Sequence, residues 1–433
     1  MNSAQTALLE LLRIALGSGS PAPDARSPQN GPGPDSDPED PAAPACGEAE
    51  RQTVLQLAER HKLLPVILDA AISLPGWKAA AAVPTAAGKS WTELALDQVG
   101  TQLVQENEFL NLVLALQGRG LDPLILKGPV CRALWPRPLL RPSVDDDLLI
   151  PAEQVHAYYD ALLELGLSPD DPAADLDALD EFNWHKRGSP LSLELHKRLF
   201  ATDNAAIGSF NTPFAGIAER AVPLRIQDVT LRSLATGDHL LFLLLHAFKH
   251  FLYSGFGLRV AADICLYARH YAAELDFDRI AAQCAQYRCE RFAAAVFRIG
   301  GKYLDIPAPA AFAAIAADET ALLEDMLDAG LHGAEIDRLH SANITLGAVA
   351  DQNAGRRRAG GLTRTLFPGV TELSGRYPWL QKRPWLLPAA WLGRFGAYWK
   401  ARGKYGAQSP AASLQIGRER VRLLEEYGVI DKK

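Results

Sequence analysis

Cysteine is scarce in this 433-residue chain and has no pattern. Its five thiols, Cys46, Cys131, Cys265, Cys284 and Cys289, include no Cys-x-x-Cys pair. That leaves no zinc-finger spacing and no disulfide framework, so free thiols in a reducing cytoplasm are expected. Long hydrophobic runs are missing too. The longest, residues 240–248 (LLFLLLHAF), is less than half of the roughly 20 residues that span a bilayer. The first twenty residues have no basic leader and carry Glu10 and Arg13 inside their apolar stretch. They read as a short amphipathic helix rather than a secretion signal, which again points to the cytoplasm. There is no basic excess: a formal net charge of −7 excludes a general nucleic-acid binder, and no stable nucleic-acid partner is expected.

What is present suits a multidomain soluble protein, with 48% hydrophobic and 22% charged residues. After the helix at 1–17, residues 18–50 hold eight prolines and a run of acids, the composition of a disordered linker that would leave the first helix loosely attached. Residues 51–120 follow helical periodicity as a lead-in. Over 121–235 the pattern shifts to short β-compatible runs at 122–128, 144–150 and 190–199, with a helix between the last two. From 236 to 350 long helices return, with Asp238 and Asp276 as expected N-caps. The extension 351–433 is basic and aromatic: residues 353–404 carry eleven Lys or Arg against the single acid Glu372, and four of the eight tryptophans. The expected class is α+β, a small mixed sheet with a helical N-terminal region and a mainly helical second domain.

The run RPSVDDDLLI (141–150) concentrates three carboxylates at the start of a strand. Alternation places Asp145 and Asp147 on one face and Asp146 on the other. Two parallel carboxylates suit magnesium, which takes hard oxygen ligands together with substrate phosphates. Glu194 in SLELH is the third acid available for a two-metal clamp. Acid pairs at strand ends are commonly just solvated, and the surroundings single this one out. Lys127 and Gly128 stand where a strand gives way to a helix, so an ammonium and backbone amides could meet a triphosphate. Arg141 could hold the same anion by a bidentate contact.

Other groups carry less. His196 could orient the third acid, or be structural. His246 and His250 share a helix face without a third zinc ligand, although Lys249 and His250 could line a cleft toward the helical domain. Arg259 and Asp263, four apart, suit an ion pair. The basic 353–404 segment suits either a wrapped extension or a weak membrane-surface contact.

The order LKG, a helix, an arginine, DxDLLI, a helix and LELH resembles the uncharacterised nucleotidyltransferase family of bacteria, a branch of the DNA polymerase β-like nucleotidyltransferase superfamily with Lys-Gly in place of Gly-Ser. The similarity continues through RVAADICLYARH and LFPGVTELSGRYPWLQKRPWLLP, so that it covers roughly residues 50–400. The middle acid, Asp146, departs from a position that is usually aliphatic. The resemblance implies that Asp145, Asp147 and Glu194 bind two magnesium ions, and that Lys127, Gly128 and Arg141 hold the phosphates of an NTP, with ATP expected. The activity implied is transfer of a nucleoside monophosphate to a hydroxyl-bearing acceptor, a peptide, protein or small molecule, with release of pyrophosphate. Two alternatives stay open: a non-catalytic nucleotide- or peptide-binding module, and a γ-phosphoryl transferase using the same metal site.

Overall fold

Among the described residues seven strands make one mixed sheet in the order β3-β4-β5-β2-β1-β7-β6. They are β1 (Leu124–Ile125), β2 (Asp146–Leu149), β3 (Leu167–Pro169), β4 (Glu181–Lys186), β5 (Ser192–His196), β6 (Val222–Ile226) and β7 (Val229–Ser233). The computed structural model describes residues 1–17, 46–330, 336–355, 369–373, 377, 379–393, 396 and 410–432. β1, β2 and β5 fall where the apolar runs predict strands, and they form the middle of the sheet. Short β1 is held antiparallel to β2 and parallel to β7, while β2 runs parallel to β5. The other four strands extend the sheet on both sides. β4 alternates exposed and buried side chains, with Phe182 and Trp184 inward. β6 and β7 form a two-residue hairpin in which Gln227 takes φ +51°, the left-handed backbone such tight turns require.

Helices pack around the sheet. Trp91–Gln117 is opened by Ser90, whose Oγ accepts from Glu93 N while the Glu93 carboxylate takes Ser90 N–H, a reciprocal cap. Thr236–Tyr253 buries side chains all round its circumference and so lies in the interior. Asp276 caps its helix as expected, accepting from Arg279 N at 2.9 Å. Asp238 does not: Ala235 holds the cap position, and Asp238 lies in the first turn, accepting from Arg220 Nε at 2.8 Å. One hydrophobic core runs through both the sheet region and the helices that follow it.

The first helix, Ser3–Gly17, departs from the expectation of loose attachment. Leu8, Leu9, Leu11, Leu12 and Leu16 are buried, and the helix packs on Glu48–Arg60 and Leu64–Ala71. Its apolar stripe has a partner face, and burying five leucines outweighs the freedom of a tether. Residues 18–45 of the expected linker lie outside the described residues, and by Glu48 the chain is helical. All five cysteines are free thiols, four of them buried. Among the described residues no helix is long and apolar enough to cross a membrane.

Candidate functional site

The parallel pairing of β2 with β5 sets Asp147 in register beside Glu194. Residues in register on neighbouring strands project to the same face, so the two carboxylates stand side by side, with His196 one alternation further on. β1 ends just before Lys127, whose Nζ lies 3.1 Å from Asp147 Oδ1 and 3.1 Å from His246 Nε2. Ligand atoms of Asp147, Glu194 and His196 all lie within 4.8 Å of one another.

Charge is tightly compensated here. His196 Nε2 lies 3.3 Å from Asp147 Oδ1 and 3.4 Å from Glu194 Oε2, and its Nδ1 faces Glu181 Oε2 at 3.6 Å. Burial alone would depress this imidazole, but hydrogen bonds to Asp147 and Glu194 outweigh it and push its pKa up to about 9, so the ring is cationic near neutrality. Burial would raise the Asp147 carboxyl, yet Lys127 and His196 hold it well below its ordinary value. Lys127 is held above its ordinary value: burial opposes this, and Asp147, Asp145 and Glu194 override it. Glu194 moves upward, chiefly through burial, against the hydrogen bond from His196. Burial, with Lys127 close by, pushes His246 well below its ordinary value, so its neutral ring accepts from the ammonium.

Asp145 lies half-buried just before β2. Its charge raises both Lys127 and Glu194, which places it at the edge of the site, but it is outside the close group of ligand atoms. Asp146 faces the other way. Gln105 Nε2 donates to its Oδ2 at 2.9 Å, and Arg132 Nη2 lies 3.9 Å from its Oδ1. Burial pushes Asp146 up to about 6, against the pull of Arg132. Arg132 also donates to Glu106 Oε2 at 2.8 Å and Ser143 Oγ at 3.0 Å, and Gln227 Nε2 donates to Glu106 Oε1 at 3.0 Å. Gly128 closes this face: it adopts φ +45°, and a Cβ there would come within 2.5 Å of Asp146 Oδ1. The helix that follows Gly128 is a single turn, Pro129–Arg132. Its first residue lacks an N–H, and Val130 N donates to Lys127 O at 2.9 Å.

Arg141 is paired with Asp263. Its Nε and Nη2 grip Asp263 Oδ1 and Oδ2 at 2.7 and 2.6 Å, and Trp135 Nε1 donates to the same Oδ1 at 2.7 Å. This buried clamp ties the segment before β2 to the helix Leu258–His270. The hydrogen-bonding partner expected for Asp263, Arg259, instead donates from Nη1 to Pro142 O. His246 and His250 pack edge to face with ring centroids 4.6 Å apart, but His246 Nε2 is turned to Lys127 rather than to a shared metal. Lys249 Nζ reaches Glu181 Oε2 at 4.0 Å on the rim.

Sequence reasoning passed over Gln102, Gln105, Glu106, Arg132 and the contact made by His246. A signal existed for the first three: they interrupt the stripe that Phe109, Leu110 and Val113 continue, and polar residues inside a buried stripe need partners. Ser143 N donates to Gln102 Oε1, completing that row.

The donor set fits a hard divalent cation. Among the described residues Asp147 Oδ2 is buried with no hydrogen-bond partner, and the oxygens of Glu194 stand beside it. The family model described as uncharacterised nucleotidyltransferase matches residues 47–305, well over half of the chain and a span that holds every residue of this site. No curated protein matches the chain.

Proposed function

The chain belongs to the uncharacterised nucleotidyltransferase family, and from that premise we propose that it moves a nucleoside monophosphate from an NTP, ATP first among candidates, to an acceptor hydroxyl with release of pyrophosphate. The observation that carries this reading is the convergence of Asp147 and Glu194 on one face of adjacent strands with Lys127 against them, and a buried carboxylate oxygen without a partner among the described residues. Asp147 and Glu194, with Asp145 beside them, are the residues that would hold magnesium. The ion supplies charge that neutralises phosphate oxygens.

The protein's own groups do the rest. Lys127, fixed between Asp147 and His246, presents an ammonium to the triphosphate. Glu194, whose carboxyl burial raises above its ordinary value, is suited to take the hydroxyl proton of the acceptor as its oxygen attacks the α-phosphorus and pyrophosphate departs. His196 holds both carboxylates in place by donating between them. The hydroxyl belongs to a peptide, a protein or a small molecule.

Incubation with magnesium and NTP labelled at the α- or the γ-phosphate tests the reaction. Nucleotidyl transfer puts only the α-label on the acceptor and releases pyrophosphate. Acceptor labelling from the γ-position would show phosphoryl transfer, and magnesium-independent binding without turnover would show a binding module. Equal α-labelling by the Asp145→Ala, Asp147→Ala double variant and the parent would end the proposal.

A further inference from the structure

Near the C-terminus a small unit folds apart from the main core. Leu373, Leu380 and Ala390 are buried in a cluster of their own, with Val370, Tyr377, Leu387 and Trp391 packed around them. Backbone hydrogen bonds from Tyr377 N to Leu373 O, Leu380 N to Tyr377 O and Arg383 N to Trp379 O wind the segment into short turns. Gly393 returns so close to Tyr377 that a Cβ there would meet its Oη at 3.2 Å.

This unit leaves large apolar side chains exposed. Among the described residues the two most exposed large hydrophobics of the chain, Leu392 at 73% and Trp385 at 71%, both belong to it, and Trp379 is exposed as well. Lys382 and Arg383 stand exposed between the two tryptophans. Residues 353–404 carry eleven Lys or Arg against one acid, which leaves 33 basic against 50 acidic residues over the rest of the chain.

We propose that this unit docks the protein on an anionic lipid surface, with Trp379, Trp385 and Leu392 entering the headgroup layer while Lys382 and Arg383 pair with lipid phosphates and carboxylates. Indole rings favour that layer because one edge is apolar and the N–H stays wet. Charge complementarity selects the surface: Lys382 and Arg383 stand exposed beside the apolar anchors, while the chain as a whole carries a net charge of −7 that an anionic surface repels. A protein partner fits less well, since interface cores are depleted in lysine and need shape complementarity. Here the anchors are spread along the segment beside exposed cations. A lipid surface accepts such anchors without a matching contour.

Co-sedimentation of the full chain with phosphatidylcholine vesicles, with or without roughly one-third phosphatidylserine, tests this. The expected result is binding at least about tenfold stronger to the anionic vesicles and lost at high salt. Lys382→Glu with Arg383→Glu should weaken it by roughly thirtyfold or more. Trp385→Ala with Leu392→Ala should weaken it at least about tenfold, with thermal stability unchanged because both side chains are exposed. The proposal is overturned by equal binding to neutral and anionic vesicles, by no binding, or by variants that bind like the parent. It is also overturned if the Trp385→Ala, Leu392→Ala pair abolishes a dimer seen in ultracentrifugation of the parent, which would assign the surface to a second copy of the chain.

Discussion

On one face of β2 the carboxylate of Asp146 is shut under Gly128, between Gln105 and an arginine that also serves Glu106. On the other face the carboxylate of Asp147 meets Lys127 and His196, and the groups around it open outward by degrees. Side-chain exposure climbs from 1% at Asp147 through 19% at Lys127 and 24% at Glu194 to 40% at Glu181. On the closed face Arg132 and Glu106 stay at 2% and 9%. Both faces bury a carboxylate against a cation, so charge pairing alone does not mark a functional site. What separates them is access. A sealed pair can only stabilise or destabilise the fold, whereas a graded one can exchange its cations for a ligand.

The sealed face should give the largest effect on folding. Arg132→Met keeps most of the volume but leaves Asp146 and Glu106 buried without their cation, at an expected cost of about 3–5 kcal/mol in urea unfolding. Transfer activity per folded molecule should stay near that of the parent. Adding Asp146→Asn and Glu106→Gln should recover most of the loss, because a fully replaced buried ionic cluster is close to neutral. If the triple variant is no more stable than Arg132→Met, the arginine acts through packing rather than charge.

On the open face the effect should move from stability to chemistry. Asp147→Asn removes a charge that nothing nearby replaces, and transfer should fall by at least about 10³-fold, equivalent to about 4 kcal/mol of barrier. Unfolding should change much less than in Arg132→Met, since Lys127 keeps Asp145 and Glu194 as neighbouring charges. A loss of folding as large as that of Arg132→Met would erase the distinction between the two faces.

The faces should also separate by pH. His196 rises from 6.5 to about 9 on folding, so the stability it contributes is complete below pH 6.5 and disappears as pH climbs through about 9. Asp146 rises from 3.8 to about 6, so its contribution is complete below 3.8 and disappears as pH climbs through about 6. Each window should carry about 3 kcal/mol. His196→Asn should flatten only the upper descent of the unfolding free energy against pH, and Asp146→Asn only the lower. One variant flattening both windows would mean that the two faces titrate as one unit.

Some of this was legible in the residue order. Period-two alternation sets Asp146 against Asp147, and the short apolar runs mark the middle of the sheet. The edge was harder to read, since β6 leaves Val222, Pro223 and Arg225 exposed and lacks the alternation that betrays a buried strand. The partner of Arg141 had no local signal, because sequence places it four residues before the carboxylates, while the fold pairs it with Asp263, 122 residues away. The contact of His246 with Lys127 spans 119 residues and shows no local pattern at all. Composition and periodicity report which face a side chain takes; they do not report which distant helix will lie against that face. That information resides in the packing of the whole core.

Gly128 joins the two faces, since it follows Lys127 directly and lies against Asp146. Gly128→Ala meets two obstacles, a φ of +45° that disfavours a side chain and a Cβ only 2.5 Å from Asp146 Oδ1. The expected loss is roughly 2 kcal/mol of stability, together with a fall in transfer because the turn carries Lys127. The obstacles can be told apart by adding Asp146→Ala, which opens the space but leaves the backbone as it was. If the clash dominates, the two substitutions should couple favourably by about 1 kcal/mol, and the double variant should regain activity as Lys127 settles back against Asp147. If the backbone conformation dominates, the losses should simply add. The glycine would then be kept for the turn that delivers the lysine rather than for the space that Asp146 needs.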